Sequence, residues 1–356
     1  MLYRLYIIVF VAIIAIGPLF LSLRISQIHT TNNMNSALAM IEATADKPYV
    51  YRALVGQAAR ATDILTPPSV SNYIVEKIDT IGLYEKLTWN FKSPKASLED
   101  VKRLAYPLTL VWLFMYMGLI VYGVCLYRLS LELHGSFPTV EKMAGSSAIV
   151  GFLGLSLLIN FDTKIYDFVG AALFSACLLA QIRRHYFTYA ACFFLACLNK
   201  ETAIFIVFAF ILLHYRRLLN EKIIGWAALH CIVWAACFFA IRLMFDSNQG
   251  IDQAQYFRGI DVLLSEIQGA GPLKLAALLL IVAGIFSRWK TMPSQLKQLS
   301  PLLAVNVVLY LLFGTYGEYR IFLETLPIWI LMAAHSMFSR GIPLPDSNPQ
   351  SRAGRE

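Results

Sequence analysis

Charge is what this sequence has least of. Only 15% of its 356 residues are Asp, Glu, Lys or Arg, and 58% are hydrophobic; ordinary soluble domains carry about a quarter charged residues. A free-standing soluble enzyme is therefore excluded, and an integral membrane protein is expected. Cysteine is present without pattern. The six cysteines, Cys125, Cys177, Cys192, Cys197, Cys231 and Cys237, lie in or beside apolar runs with no CxxC pair. That spacing argues against a disulfide framework and against a zinc site. His29, His134, His185, His214, His230 and His335 are equally scattered, so no histidine metal cluster is expected. No internal repeat is visible, which counts against an inverted-repeat transporter with two matching halves.

What fills the chain instead is a series of long apolar runs. A transmembrane helix needs roughly 20 mainly apolar residues. About ten candidate spans can be marked off, at 5–23, 106–127, 145–160, 168–182, 186–198, 203–215, 223–245, 272–286, 299–314 and 321–338. The expected fold is an all-α polytopic membrane bundle. Residues 1–340 form one membrane domain, 24–104 being its helical extracytoplasmic loop. The Pro- and Ser-rich residues 341–356 read as a disordered cytoplasmic tail. The first apolar run has a single preceding Arg and no small-residue cleavage site after it, and it reads as a retained anchor. The pair 186–198 and 203–215 admits two readings, a tight hairpin or one long or re-entrant element.

Orientation follows from Lys and Arg, which favour cytoplasmic loops. With the N-terminus inside, Arg4, Arg128, Lys142, Arg183, Arg184, Arg216, Arg217, Lys222, Arg288, Lys290, Lys297, Arg340, Arg352 and Arg355 share one side. Outside the long first loop, the other side holds Lys164, Lys200, Arg242, Arg258, Lys274 and Arg320. Both termini are thus expected in the cytoplasm. The net charge of +8 follows from this bias and from contact with anionic headgroups, so no nucleic-acid partner is expected.

On this topology the ionisable residues gather at one side. Asp162, Lys164, Tyr166 and Asp167 sit in NFDTKIYDF, and Lys200 and Glu201 interrupt the apolar stretch CLNKETAIF. Arg242 and Asp246 end the seventh span, while Glu318, Arg320 and Glu324 fill YGEYRIFLE. PYVYRAL of the first loop adds Tyr49, Tyr51 and Arg52. An ionisable group at membrane depth costs roughly 2.5 to 3.5 kcal/mol on the insertion scale, so such groups usually pair or serve a substrate. Any one of them can be explained as a polar turn or a helix-end charge. Together, acids interleaved with bases suggest one outward-facing polar cavity. There an Arg fork would take phosphate oxygens and neighbouring tyrosines would stack on a sugar or edge a prenyl chain.

The long first outer loop with its YRAL step, the YDF opening of a span, NKETAIF before a basic turn, and GEYRIFLETLP together resemble bacterial membrane glycosyltransferases of the GT-C type. The likeness covers most of the chain as architecture and four short stretches as motif. It implies an enzyme at the outer leaflet of the bacterial inner membrane, taking a sugar from a polyprenyl-phosphate donor to an envelope glycan or lipid acceptor. An acid of the first loop would serve as base and cations would stabilise the leaving phosphate. The family pattern places that acid soon after the first span, whereas RISQIHTTNNMNSALAM contains none. Asp46 is accordingly the expected base, with Asp167 and Glu201 as substitutes. Tyr49, Tyr51, Arg52, Asp162, Lys164, Lys200, Arg242, Glu318 and Arg320 are the expected substrate contacts. Metal dependence varies across the superfamily, so a divalent cation is admitted but no cofactor is demanded. A polysaccharide polymerase or ligase, a flippase of lipid-linked sugars, and a membrane subunit without chemistry of its own remain as alternatives.

Overall fold

The computed structural model describes residues 2–25, 37–47, 49–80, 82, 104–134, 138–159, 164–217, 220–249, 282–313 and 322–338. The expected tail, most of the span at 272–286 and the loop residues 83–103 lie outside them. Within the described residues every element is a helix or a helical turn. In chain order the α-helices are α1 (Leu2–Ile25), α2 (Ala37–Ile41), α3 (Ala53–Leu65), α4 (Pro68–Thr80), α5 (Ala105–His134), α6 (Pro138–Ile159), α7 (Asp167–Ile182), α8 (Tyr186–Asn199), α9 (Ile204–Leu213), α10 (Glu221–Met244), α11 (Ser294–Phe313) and α12 (Leu326–Phe338).

Helix α5 is the hub, packed on α1, α6 and α7. Its contact with α7 is close because position 118 has no side chain. A Cβ there would lie 3.2 Å from the backbone of Phe168. The core that results is built of large apolar groups such as Met115, Leu119, Tyr122, Phe168 and Phe174, all essentially inaccessible. Among the described residues two helices, α5 and α10, are long and apolar enough to cross a membrane.

The chain at 186–213 is a hairpin. Lys200 is fully extended, with φ −163° and ψ 143°, and a single 3-10 turn, Glu201–Ala203, follows it. Tyr189 near the start of α8 therefore comes back to Phe210 near the end of α9, with ring centroids 6.1 Å apart. His230 of α10 is wedged between the two arms, edge-on to Tyr189, Phe193 and Phe210.

Much of the rest of α10 is exposed. Only His230, Cys237 and Ile241 are buried, while Ile232 is 64% and Leu243 79% exposed. A helix that is apolar all round has no water-facing side.

The two ends of the bundle differ. At one end Arg183 binds Glu132 at 2.5 Å. There His134 Nε2 lies 3.0 Å from Nδ1 of His335, whose other ring nitrogen faces Thr291. At the opposite end meet the starts of α7 and α12, the ends of α8 and α10, and the chain before α3.

A buried charge cluster and the cleft beside it

The second of those ends is assembled from the α8–α9 turn outward. Asp167 opens α7, where an anion suits the positive helix end, and its Oδ2 accepts the backbone N–H of Lys164 at 2.8 Å. Asn199, the last residue of α8, donates from Nδ2 to the carbonyl of Tyr166 at 3.0 Å and so ties the turn to α7. Because Lys200 is extended, its side chain points inward. Its ammonium lies 2.6 Å from Glu324 Oε1 and 3.7 Å from Asp167 Oδ1, and Thr202 donates to the same Glu324 oxygen at 2.7 Å. Glu324 Oε2, though buried, accepts no hydrogen bond among the described residues.

Glu201 faces the other way and takes a guanidinium fork from Arg52. The Nη2–Oε1 distance is 2.6 Å and the Nε–Oε2 distance 3.3 Å. Nη1 of Arg52 donates to the Tyr166 hydroxyl, and the guanidinium carbon stands 4.8 Å from the centre of that ring. Tyr166 also lies 5.9 Å from the Lys200 ammonium. One phenol therefore joins the Arg52–Glu201 pair to the Lys200–Glu324–Asp167 set.

Burial would push the Glu201 carboxyl up, but Arg52, and behind it Lys200, holds it down at about 2. Burial by itself disfavours the Lys200 charge, and the carboxylates of Glu324 and Asp167 reverse that, so the ammonium sits above its ordinary value. For Arg52 the same contest goes to Glu201 and Tyr166, which raise it.

Beside the cluster opens a cleft of about 50 Å³, lined by Tyr51, Cys197, Glu201, Trp234, Phe238, Ile241 and Arg242. Three of these form a stripe on α10, since 234, 238 and 242 are successive i, i+4 positions. Trp234 Nε1 donates to the Glu201 carbonyl at 2.9 Å. The Arg242 guanidinium lies 4.2 Å from the Phe238 ring centre and 4.9 Å from that of Tyr51, close enough for cation–π attraction to both rings. The loop that supplies Tyr51 is held by Asn248, which donates to the carbonyls of Ala43 and Ala45 at 2.8 and 3.0 Å.

The structure thus brings together Tyr49, Tyr51, Arg52, Lys164, Asp167, Lys200, Glu201 and Arg242 from among the residues singled out in the sequence. Tyr49 sits at the edge of the group, its ring 5.5 Å from the Lys164 ammonium and 5.6 Å from Arg52. Asp46 stands apart. It is half-buried, its carbonyl accepts the N–H of Val50, and its carboxylate makes no hydrogen bond or ion pair among the described residues. Asp162, Glu318 and Arg320 lie outside the described residues. Among the described residues no three His, Cys, Asp or Glu side chains are grouped to hold a metal ion.

Glu324 is more central than its place in an apparent turn suggested, and Trp234 and Phe238 were not singled out at all. The stripe spacing was the available signal for the last two, hidden in a run where every position is apolar. Compared with protein-family models, with curated proteins and with solved structures, the chain finds no match.

Proposed function

We propose that the chain is a polytopic membrane glycosyltransferase of GT-C-like architecture, and that this end of the bundle faces the outer leaflet of a bacterial inner membrane. The remaining apolar helices, including the short α7, α8, α9 and α12, cross or enter the bilayer together with α5 and α10. The donor is a polyprenyl-phosphate sugar and the acceptor an envelope glycan or lipid. The observation that carries the reading is the cleft, in which a guanidinium held against Tyr51 and Phe238 faces the carboxylate end of the cluster. A planar cation fits a phosphodiester oxygen pair, and flanking rings fit a sugar face or the first prenyl unit. The lipid-compatible exterior of α10 beside it leaves a route for the prenyl chain.

In this reading the acceptor oxygen bonds to the anomeric carbon as the bond from that carbon to the phosphate oxygen breaks. The leaving polyprenyl phosphate keeps the electron pair and is stabilised by Arg242. The acceptor proton passes to a carboxylate. Glu201, engaged on both oxygens and held strongly acidic, is suited to fixing Arg52. Glu324, which does not itself line the cleft but has one oxygen that accepts no hydrogen bond among the described residues, keeps the capacity to take the proton by relay. The test is transfer from radiolabelled polyprenyl-phosphate sugars by the protein in proteoliposomes. Sugar transfer with release of polyprenyl phosphate is expected from wild type, falling at least 100-fold in Glu324→Gln and Arg242→Ala. A wild-type protein that neither binds nor consumes such donors overturns the proposal.

One observation favours a second reading. Asp167, Glu201 and Glu324 all lie within ion-pair distance of a cation, as suits a site that binds a lipid-linked sugar without reacting, in a carrier or a membrane subunit. Tight donor binding without release of polyprenyl phosphate would select it.

A further inference from the structure

Helices α3 and α4 follow one another through Thr66 and Pro67, and the catalytic reading leaves them without a role. α3 lies across the end of the bundle that carries the charge cluster. Its start is pinned there, because Arg52 binds Glu201 and Tyr166. Its far end is pinned at the first turn of α5, where the Thr66 hydroxyl lies 3.2 Å from that of Tyr106. A helix fastened at both ends to the first turns of spans runs along the membrane surface, and its tip stands at the depth where those spans begin.

That tip is apolar and uncovered. Ile64 is 74% exposed, Leu65 82%, Val70 46% and Tyr73 61%, with Pro67 and Pro68 between them. No residue of α4 is buried, although Val75 and Ile78 rest partly against the core. The charges lie farther along α4. Lys77 places its ammonium 5.5 Å from the Tyr73 ring centre, and Glu76 and Asp79 follow on the exposed side. An aromatic ring with a cation beside it, at the border between an apolar tip and a charged stem, matches the order of acyl chain, headgroup phosphate and water.

We infer that the α3–α4 tip is a lipid-binding edge that inserts Ile64, Leu65, Val70 and Tyr73 into the outer leaflet at the boundary between headgroups and acyl chains. It holds the Arg52 end of α3, and so the cleft, at a fixed height above the bilayer. This rests on the membrane reading above, and the experiment separates the two.

In the full-length protein in nanodiscs, an environment-sensitive fluorophore is attached at position 65 in a Leu65→Cys, Cys231→Ser chain. Shallow acyl-chain bromolipids then serve as quenchers. Cys231 is the exposed native cysteine, so the wild-type chain labelled there reports on the outer face of α10. A Glu76→Cys, Cys231→Ser chain reports on the stem. The expected result is several-fold quenching at 65, comparable with that at Cys231, and little at 76. Quenching at Cys231 with none at 65 overturns the inference and leaves the membrane reading intact; a partner protein seated on the tip would give this outcome. Absence of quenching at both 65 and Cys231 overturns both.

Discussion

At the scale of single residues, Lys200 carries the most. Its ammonium is shared by two buried carboxylates, those of Glu324 and Asp167. Lys200→Met keeps the apolar stem and leaves Glu324 and Asp167 buried together. Breaking a buried pair in this way costs about 3 to 5 kcal/mol, so a large fall in the thermal unfolding midpoint in detergent is expected. By contrast, Lys47→Ala removes a pair whose acid, Asp246, is 86% exposed at 3.6 Å. It should change the midpoint by less than about 0.5 kcal/mol equivalent.

Glu201 makes a prediction about pH. Its folded value of about 2 lies below the ordinary 4.5, so the stability it contributes is complete above about pH 4.5 and drains away as pH falls toward 2. Glu201→Gln should be less stable than wild type at neutral pH, and its unfolding midpoint should fall less steeply between pH 4.5 and 2. A third of the Glu201 side chain is open to solvent, so the difference will be smaller than for a sealed pair.

At the scale of elements, contacts between helices fix where small side chains must stand. Gly118 meets the Phe168 backbone, which cannot move aside as a side chain would. Gly118→Val should therefore push α5 from α7 and lose about 1 to 3 kcal/mol, read as a lowered midpoint with helix content retained by circular dichroism. Trp234→Phe is the milder test, deleting one donor to the Glu201 carbonyl for about 1 kcal/mol.

The helices themselves were legible in the sequence, because apolar runs broken by KET, RRH and Asn220 leave few choices for their ends. For 186–213 the sequence admits two readings, a tight hairpin or one long or re-entrant element. His230, one residue of another helix, packs against both arms, and no local pattern encodes it. Asp46 was favoured for its place in the first loop, yet Arg52 is the loop residue that reaches the cluster. Its partner lies 149 positions away and that of Lys200 124, pairings that only the folded bundle defines.

At the scale of the whole molecule, the two ends of the bundle should face different compartments. With a membrane-impermeant thiol reagent on intact cells, a cysteine placed at Asp246 should react from outside. One placed at Arg184, in the α7–α8 turn, should react only after permeabilisation. The reverse pattern would invert the topology, and equal reactivity at both sites would remove the bilayer between them. The expectation comes from the charge bias of the sequence. The meeting of Arg52 and Lys200 at the ring of Tyr166 was not readable, since nothing in YDF marks it as a junction.

The fork between Arg52 and Glu201 also sets an order of events at the ribosome. Arg52 is made long before its acceptor, and at about 5 to 20 residues per second the 149 positions between them take roughly 7 to 30 seconds to synthesise. Through that interval the α3 segment lacks its ion-pair partner, and for the first 114 positions of it also the Tyr166 hydroxyl. The first loop must wait in an unfinished state, and its docking is a late step that depends on the arrival of the α8–α9 turn. A nascent chain stalled before residue 201 should accordingly be cut readily within 53–80 by added protease, and one stalled well past residue 244 should resist.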